Sequence, residues 1–170
     1  MNATNTNVQQ HTFTWQRLSC LKDHFALCTS GHQLAVLKIG GLLGPIAQLE
    51  SGEHRFVFLA SGIANRQIYV RNENLNATVA MYERSWQGAG GYLRLAEGGR
   101  LRWVRSRGFR NSDHIFIDAE GRAVASFAPN GRVMTFVTED SPAEASPSLD
   151  LLTVLAPGWL LMTLAKDRTG

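Results

Sequence analysis

Residues 91–105 read GYLRLAEGGRLRWVR and residues 114–137 read HIFIDAEGRAVASFAPNGRVMTFV, and these two stretches decide the fold. Three times in them, a short run of strand-forming residues ends at a turn that closes with glycine, and an arginine opens the next run. Glycine supplies the positive φ that such turns require, and Asn130-Gly131 is a strong hairpin signal. The pattern predicts an antiparallel β-meander.

Similar short runs fill the first half of the chain, separated by Gly, Ser and Asn. Turn signals at intervals of about 8 to 12 residues are typical of an all-β sandwich or barrel. With the meander, the sequence predicts roughly ten to twelve strands. Those of the first half fall at residues 13–18, 25–28, 33–39, 46–49, 55–60, 67–71 and 78–83.

The C-terminal part differs in composition. Residues 139–148 hold three acids, two Pro and three Ser with no base, which indicates a linker. Residues 149–166 are predicted to form a helix that is apolar on every face, and such a helix must be surrounded by protein or lipid. A barrel of eleven or twelve strands is wide enough to enclose it. Pro157-Gly158 interrupts this segment, so the helix either consists of two pieces or begins late.

These assignments divide the chain into a tail at residues 1–10, a mainly β barrel at 11–138, the linker at 139–148 and the buried helix of the same domain at 149–166. The tail lacks the charged and apolar regions of an export signal, which favours a cytoplasmic protein with reduced Cys20 and Cys28. The apolar stretch from Leu151 to Ala165 is shorter than the roughly 20 residues of a membrane-spanning helix, although membrane insertion stays open as an alternative.

Charge is concentrated in one segment. The chain is 44% apolar and 18% charged, with a net charge of +3, which is too small to indicate a nucleic-acid partner. Residues 83–110 contain seven arginines, from Arg84 to Arg110, and two acids, Glu83 and Glu97, so this segment sums to +5 and the rest of the chain to −2. Arginine forks suit phosphate oxygens. The candidate anion- or lipid-binding residues are Arg94, Arg100, Arg102, Arg105, Arg107 and Arg110.

Strand alternation places Arg100 and Arg102 on one face of the sheet. If the strand stays regular, Arg105 and Arg107 lie together on the opposite face. Trp103, like the other tryptophans, is expected in the core or at its rim, with stacking beside a bound group as the alternative. The competing interpretation is a solvated sheet face whose arginine stems cover apolar surface.

No other residue pattern predicts chemistry. Cys20, His24, Cys28 and His32 have zinc-ligand side chains, but a spacing of four throughout a strand-and-turn region does not fit a known site. No nucleophile elbow, phosphate-binding loop or zinc-protease motif occurs. We therefore predict no catalytic residue, cofactor or metal.

The chain resembles the tubby-like superfamily, which includes tubby domains, phospholipid scramblases and LURP-one-related proteins, and is most similar to its small bacterial members. The resemblance spans residues 34–165 and implies a barrel of about twelve strands around a central helix. The resemblance implies less about function: tubby domains bind phosphoinositide head groups and scramblases are associated with Ca²⁺-dependent lipid movement, whereas the small bacterial members have no settled activity. No EF-hand-like calcium motif is present. The residues that carry it are Trp86, Gly88, Leu93, Leu95, residues 99–103, Phe116, Asp118, Gly121, Ala125, Phe127 and the segment 149–164.

The first functional hypothesis is a non-enzymatic binding module for anionic lipid head groups or an acidic protein, peripheral to the inner face of a membrane. The second is a structural or partner-binding barrel with no lipid role. A scramblase-like membrane-associated protein and an enzyme with a site in the barrel mouth are further alternatives.

Overall fold

Twelve β-strands build the protein in a computed structural model that describes residues 8–20, 22–40, 46–61, 67–85, 90–105, 114–128, 132–139 and 157–158. Each strand predicted from the sequence is present, with ends shifted by a few residues. The strands are β1 (Val8–Arg17), β2 (His24–Thr29), β3 (His32–Ile39), β4 (Ala47–Ser51), β5 (His54–Ser61), β6 (Gln67–Asn72), β7 (Ala77–Arg84), β8 (Gly90–Leu95), β9 (Arg100–Arg105), β10 (His114–Ile117), β11 (Ala123–Phe127) and β12 (Val133–Glu139).

The strands form one closed barrel. Every strand pairs antiparallel with its sequence neighbours, and β1 closes the sheet by pairing with both β2 and β12. Closure leaves no unpaired edge strand, which removes the site at which another chain could add to the sheet. The predicted mainly β, closed antiparallel barrel of about twelve strands is confirmed.

The first and last strands extend further than the sequence patterns indicate. β1 begins at Val8, inside the stretch predicted as a tail, because its first residues pair with the end of β12, Val8 opposite Glu139. Glu139, predicted to open the linker, is thus the last residue of a strand. The polar residues at the start of β1 and at the end of β12 thus form strand because their backbones pair with each other.

Alternation along the strands lines the barrel interior with apolar side chains. In the middle of the sheet Tyr82, Leu93 and Leu101 are successive cross-strand partners, and all are buried. In the next strands Trp103 lies opposite Phe116, with ring centroids 5.8 Å apart. Cross-strand contacts of this kind hold the sheet together through packing on its inner face.

Two glycines at the start of β8 allow β9 and its Trp103 side chain to approach closely. Gly91 is the cross-strand partner of Trp103, and a Cβ at Gly91 would overlap both the Glu83 carbonyl oxygen and the indole ring. A Cβ at Gly90 would lie 2.6 Å from the Trp103 carbonyl oxygen. Gly91 therefore leaves room for the Trp103 side chain, whereas Gly90 leaves room for the backbone of β9.

Two residues of the C-terminal segment are described, and both are buried. Pro157 and Gly158 have helical backbone conformation, and Gly158 lies against the ring of Tyr82 on the inner face of β7. Two residues do not define a helix, and the remainder of the segment predicted as helix, residues 149–166, lies outside the described residues. Within the described ranges, no helix has the length and apolarity that crossing a bilayer requires.

Candidate functional site

The outer surface of β8 and β9 carries the candidate site. Leu93, Leu101 and Trp103 occupy the inner face, so the residues between them point outward. We define the arginine face as these outward residues, namely Tyr92, Arg94, Arg100 and Arg102. The prediction that Arg100 and Arg102 share one face is confirmed.

Strand pairing brings these four side chains together. Arg94 lies directly opposite Arg100, and Tyr92 directly opposite Arg102. The Arg100 guanidinium carbon lies 3.7 Å from the centroid of the Tyr92 ring. This cation–π contact stabilises Arg100 in a defined position while its donor groups stay exposed to solvent. The Tyr92 ring is thus the platform around which the guanidinium groups are arranged.

One acid is part of this surface. Glu83 Oε2 accepts a hydrogen bond of 3.1 Å from Arg94 Nη2, and Glu83 is also the cross-strand partner of Tyr92. Among the described residues, no acidic group forms an ion pair with Arg100 or Arg102. The face with Glu83 therefore has a local charge of +2.

The equivalent arginine of the next hairpin has different neighbours. Arg122 follows Gly121 as Arg100 follows Gly99, but its guanidinium binds Asp118 Oδ2 at 2.8 Å and Glu120 Oε2 at 3.2 Å. These contacts lower the pKa of Asp118 against the opposing effect of its desolvation. The same sequence pattern thus places Arg122 in ion pairs and leaves Arg100 without an acidic partner among the described residues.

Arg84 belongs to the basic segment but does not lie on the arginine face. Arg84 continues the alternation of Ala80 and Tyr82 on the inner side of β7, is about half buried, and has its pKa lowered by desolvation. Arg105 belongs to β9, where its Cα pairs with that of His114. Arg107 and Arg110 lie outside the described residues.

Trp103 does not stack beside a group bound to the outer surface, so this alternative is wrong. Its side chain is 3% exposed and lies inside the barrel, with the ring tilted against Tyr82 and Phe116, so it cannot stack beside an external ligand. Tyr92 is the aromatic residue of the site, and sequence reasoning missed it. Alternation in the stretch Gly91–Leu95 could have found it, because residues two apart share a face.

The cysteine and histidine set is spread along the β2–β3 hairpin. His24 pairs with Lys38 at one end of the hairpin, whereas His32 pairs with Thr29 at the other. Cys28 is buried and Cys20 is exposed in the loop before β2. Among the residues that the structure describes, no three His, Cys, Asp or Glu side chains are grouped as metal ligands.

A polar depression of about 560 Å³ lies at the β4–β5 and β6–β7 turns, remote from the arginine face along the sheet. Ion pairs connect most of its charges: Glu50 binds Lys38 at 2.8 Å and Arg55 at 3.5 Å, and Arg55 also contacts Glu73 at 3.7 Å. The hydrogen bond from Lys38 lowers the pKa of Glu50. With Glu53, which also lines the depression, three acids stand against two bases, so the depression does not attract an anion.

Comparisons with family models, with curated proteins and with solved structures give no match for this chain. The resemblance to the tubby-like superfamily therefore stays a prediction.

Proposed function

We propose that the protein is a non-enzymatic barrel that binds anionic groups, in the first place lipid phosphate head groups, on its arginine face. The observation that carries this proposal is the exposed pair Arg100 and Arg102, which no described acidic side chain neutralises. Arg105, Arg107 and Arg110 belong to the same proposal as candidates at the end of β9 and in the loop that follows it.

The cross-strand pairing supports this proposal. Like charges directly opposite each other destabilise a sheet, and Arg94 faces Arg100 in this way. An anion between them would turn this repulsion into attraction. Guanidinium groups present several donors in a fixed fork that matches phosphate oxygens, which makes arginine the suitable residue for such a ligand.

The shape of the surface supports a head group presented by a membrane. The arginine face lies on the outer wall of the barrel, where Arg94, Arg100 and Arg102 are all exposed on neighbouring strands. Basic residues near an anionic bilayer each contribute about 1 kcal/mol to binding. The protein would then be a cytoplasmic protein that contacts the inner face of a membrane peripherally.

Few polar groups are buried in the barrel. Apart from the Tyr82 hydroxyl and ring nitrogens such as Trp15 Nε1 and His114 Nδ1, the buried polar side chains among the described residues are Ser51 and Asn72. Ser51 donates to the Leu34 carbonyl oxygen, and Asn72 Oδ1 accepts from the backbone N–H groups of Asn74 and Leu75. Both side chains thus stabilise the backbone near turns.

Co-sedimentation with vesicles tests the anion face. We expect the protein to bind phosphatidylcholine vesicles only when they contain phosphatidylglycerol, and to be released as salt rises. Arg102→Glu should weaken binding at least about fivefold, because it replaces an attraction of about 1 kcal/mol by a repulsion. Lys22→Glu, on the opposite side of the barrel, makes the same charge change and should have little effect.

Equal binding to neutral and anionic vesicles, or equal losses in Arg102→Glu and Lys22→Glu, would refute a specific face. Indifference to vesicles combined with capture of an acidic protein that Arg102→Glu abolishes would replace the lipid by a protein partner.

We also propose that the C-terminal segment forms the central helix of the barrel, as in the tubby-like architecture. Buried Pro157 and Gly158, with Gly158 against Tyr82, support this placement. A chain truncated after Ser148 should then fail to fold, since the interior would lose most of its filling and domains are stable by only about 5–15 kcal/mol. A truncated chain that keeps a cooperative thermal transition would contradict the proposal.

A further inference from the structure

Glu83 occupies the position of a ligand on the arginine face. Its carboxylate binds Arg94 at 3.1 Å, and its backbone pairs with Tyr92, the residue on which Arg100 stacks. A carboxylate held there offers to Arg94 the same charge-assisted hydrogen bond that an external anion would offer. Arg94 therefore has an acidic partner in the free protein, whereas Arg100 and Arg102 have none among the described residues.

We propose that Glu83 is a built-in competitor that makes binding depend on the density of anions presented to the face. This inference rests on the proposed anion-binding function and specifies how that site is regulated. A sparse anionic surface engages only Arg100 and Arg102. A dense surface supplies a further anion that replaces Glu83 on Arg94, so that all three guanidinium groups bind.

The strength of the Glu83–Arg94 pair suits this role. The Glu83 side chain is 35% exposed and that of Arg94 is 55% exposed, so water and salt screen the pair. Exposed ion pairs are weak enough for a modest gain in external contacts to replace them. Glu83 therefore raises the density of anions needed for binding to Arg94 but does not prevent that binding. Its charge also reduces the attraction of Arg100 and Arg102 for sparse anions.

The charge of Glu83 can be separated from its geometry by two substitutions. Glu83→Gln keeps the length and a hydrogen-bond acceptor but removes the charge, whereas Glu83→Asp keeps the charge. Asp23→Asn is the matched control, because Asp23 binds Arg17 at 3.0 Å in an exposed pair on the opposite side of the barrel. Both neutralising variants raise the net charge by one.

The experiment measures vesicle binding against the fraction of phosphatidylglycerol in phosphatidylcholine. We expect Glu83→Gln to tighten binding about two- to fivefold at low phosphatidylglycerol, the range that exposed ion pairs span, and to converge with the wild type at high phosphatidylglycerol. The wild type should show the steeper dependence. Glu83→Asp should resemble the wild type. Arg94→Gln should reduce the gain of Glu83→Gln to the part that comes from the removed charge alone.

The failures of the two proposals differ. Parallel binding curves for the wild type and Glu83→Gln, with Arg102→Glu still defective, would overturn the competitor role and leave the anion face intact. Equal gains in Asp23→Asn and Glu83→Gln would also overturn it, because only net charge would then matter. Absence of binding by every variant, including Glu83→Gln, would refute the anion face itself.

Discussion

Replacing Gly158 by Ala tests whether the C-terminal segment packs inside the barrel in solution. A Cβ at this position would overlap the ring carbons of Tyr82 and lie 2.6 Å from its hydroxyl oxygen, whereas carbon atoms pack at about 3.5–4.0 Å. Tyr82 is fully buried, and burial raises the pKa of its hydroxyl well above the ordinary value. The ring is enclosed by Trp103 and its other neighbours and has little room to retreat.

Overpacking of a tight core costs about 1–3 kcal/mol, and the higher helix propensity of Ala returns up to about 1 kcal/mol if the residue stays helical. Because the methyl would overlap an enclosed ring, the cost lies in the upper part of this range, about 2–3 kcal/mol. We therefore expect a net loss of about 1–3 kcal/mol, which for a chain of this size lowers Tm by roughly 2–12 °C. Thermal unfolding followed by circular dichroism measures this shift. Gly99→Ala is the control, because its Cβ would meet only the flexible end of Leu95, at 3.2 Å.

A second substitution shows whether the clash is with Tyr82. In a Tyr82→Leu background the ring is absent, so adding Gly158→Ala should cost less than it does in the wild type, a coupling that a double-mutant cycle measures directly. A neutral or stabilising Gly158→Ala substitution in the wild type would refute the packing of Gly158 on Tyr82. Equal costs in both backgrounds would assign the destabilisation to another contact.

Three further predictions concern the barrel wall. Gly91→Ala should destabilise the protein by at least about 1–3 kcal/mol in chemical denaturation, because the added methyl overlaps backbone and the Trp103 ring; an unchanged denaturation midpoint would contradict this. Phe116→Ala should cost about 3–5 kcal/mol in the same assay, since it empties a fully buried position. Lys38→Met should lower the free energy of unfolding near neutral pH, where Glu50 is ionised. Lys38 lowers the pKa of Glu50, and this stabilisation is lost once the carboxylate is protonated. The difference in stability from the wild type should therefore shrink below about pH 4. A difference that is independent of pH would exclude an electrostatic origin.

The strands were predictable because turns and alternation are local signals. The stretch from Gly91 to Val137 shows both clearly, and its five strands appear where the sequence places them. The ends of β1 and β12 were not predictable to the same degree, since Val8 and Glu139 are in strands only because they pair with each other. Such pairing between distant parts of the chain leaves no trace in local composition.

The candidate site was predictable only in part. Arg100 and Arg102 follow from their spacing on one strand, but the contribution of Arg94 depends on the register between β8 and β9. Glu83 joins the site through a third strand, and Trp103 lies on the inner face because it alternates with the outward-facing Arg102. A count of charge along the segment also includes Arg84, which lies on the inner side of β7, because such a count does not separate inner from outer positions.

The β8–β9 hairpin couples the binding surface to the core through strand alternation. Leu93, Leu101 and Trp103 are buried on its inner face, and the arginine face occupies the positions between them. A slip of one residue in register would place the arginines in the apolar interior, so packing of the core fixes where the guanidinium groups stand. The side chains of Arg94, Arg100 and Arg102 are exposed and are not part of the core. Substitutions such as Arg102→Glu should therefore change binding with little change in Tm, which separates a loss of function on this face from a loss of folding.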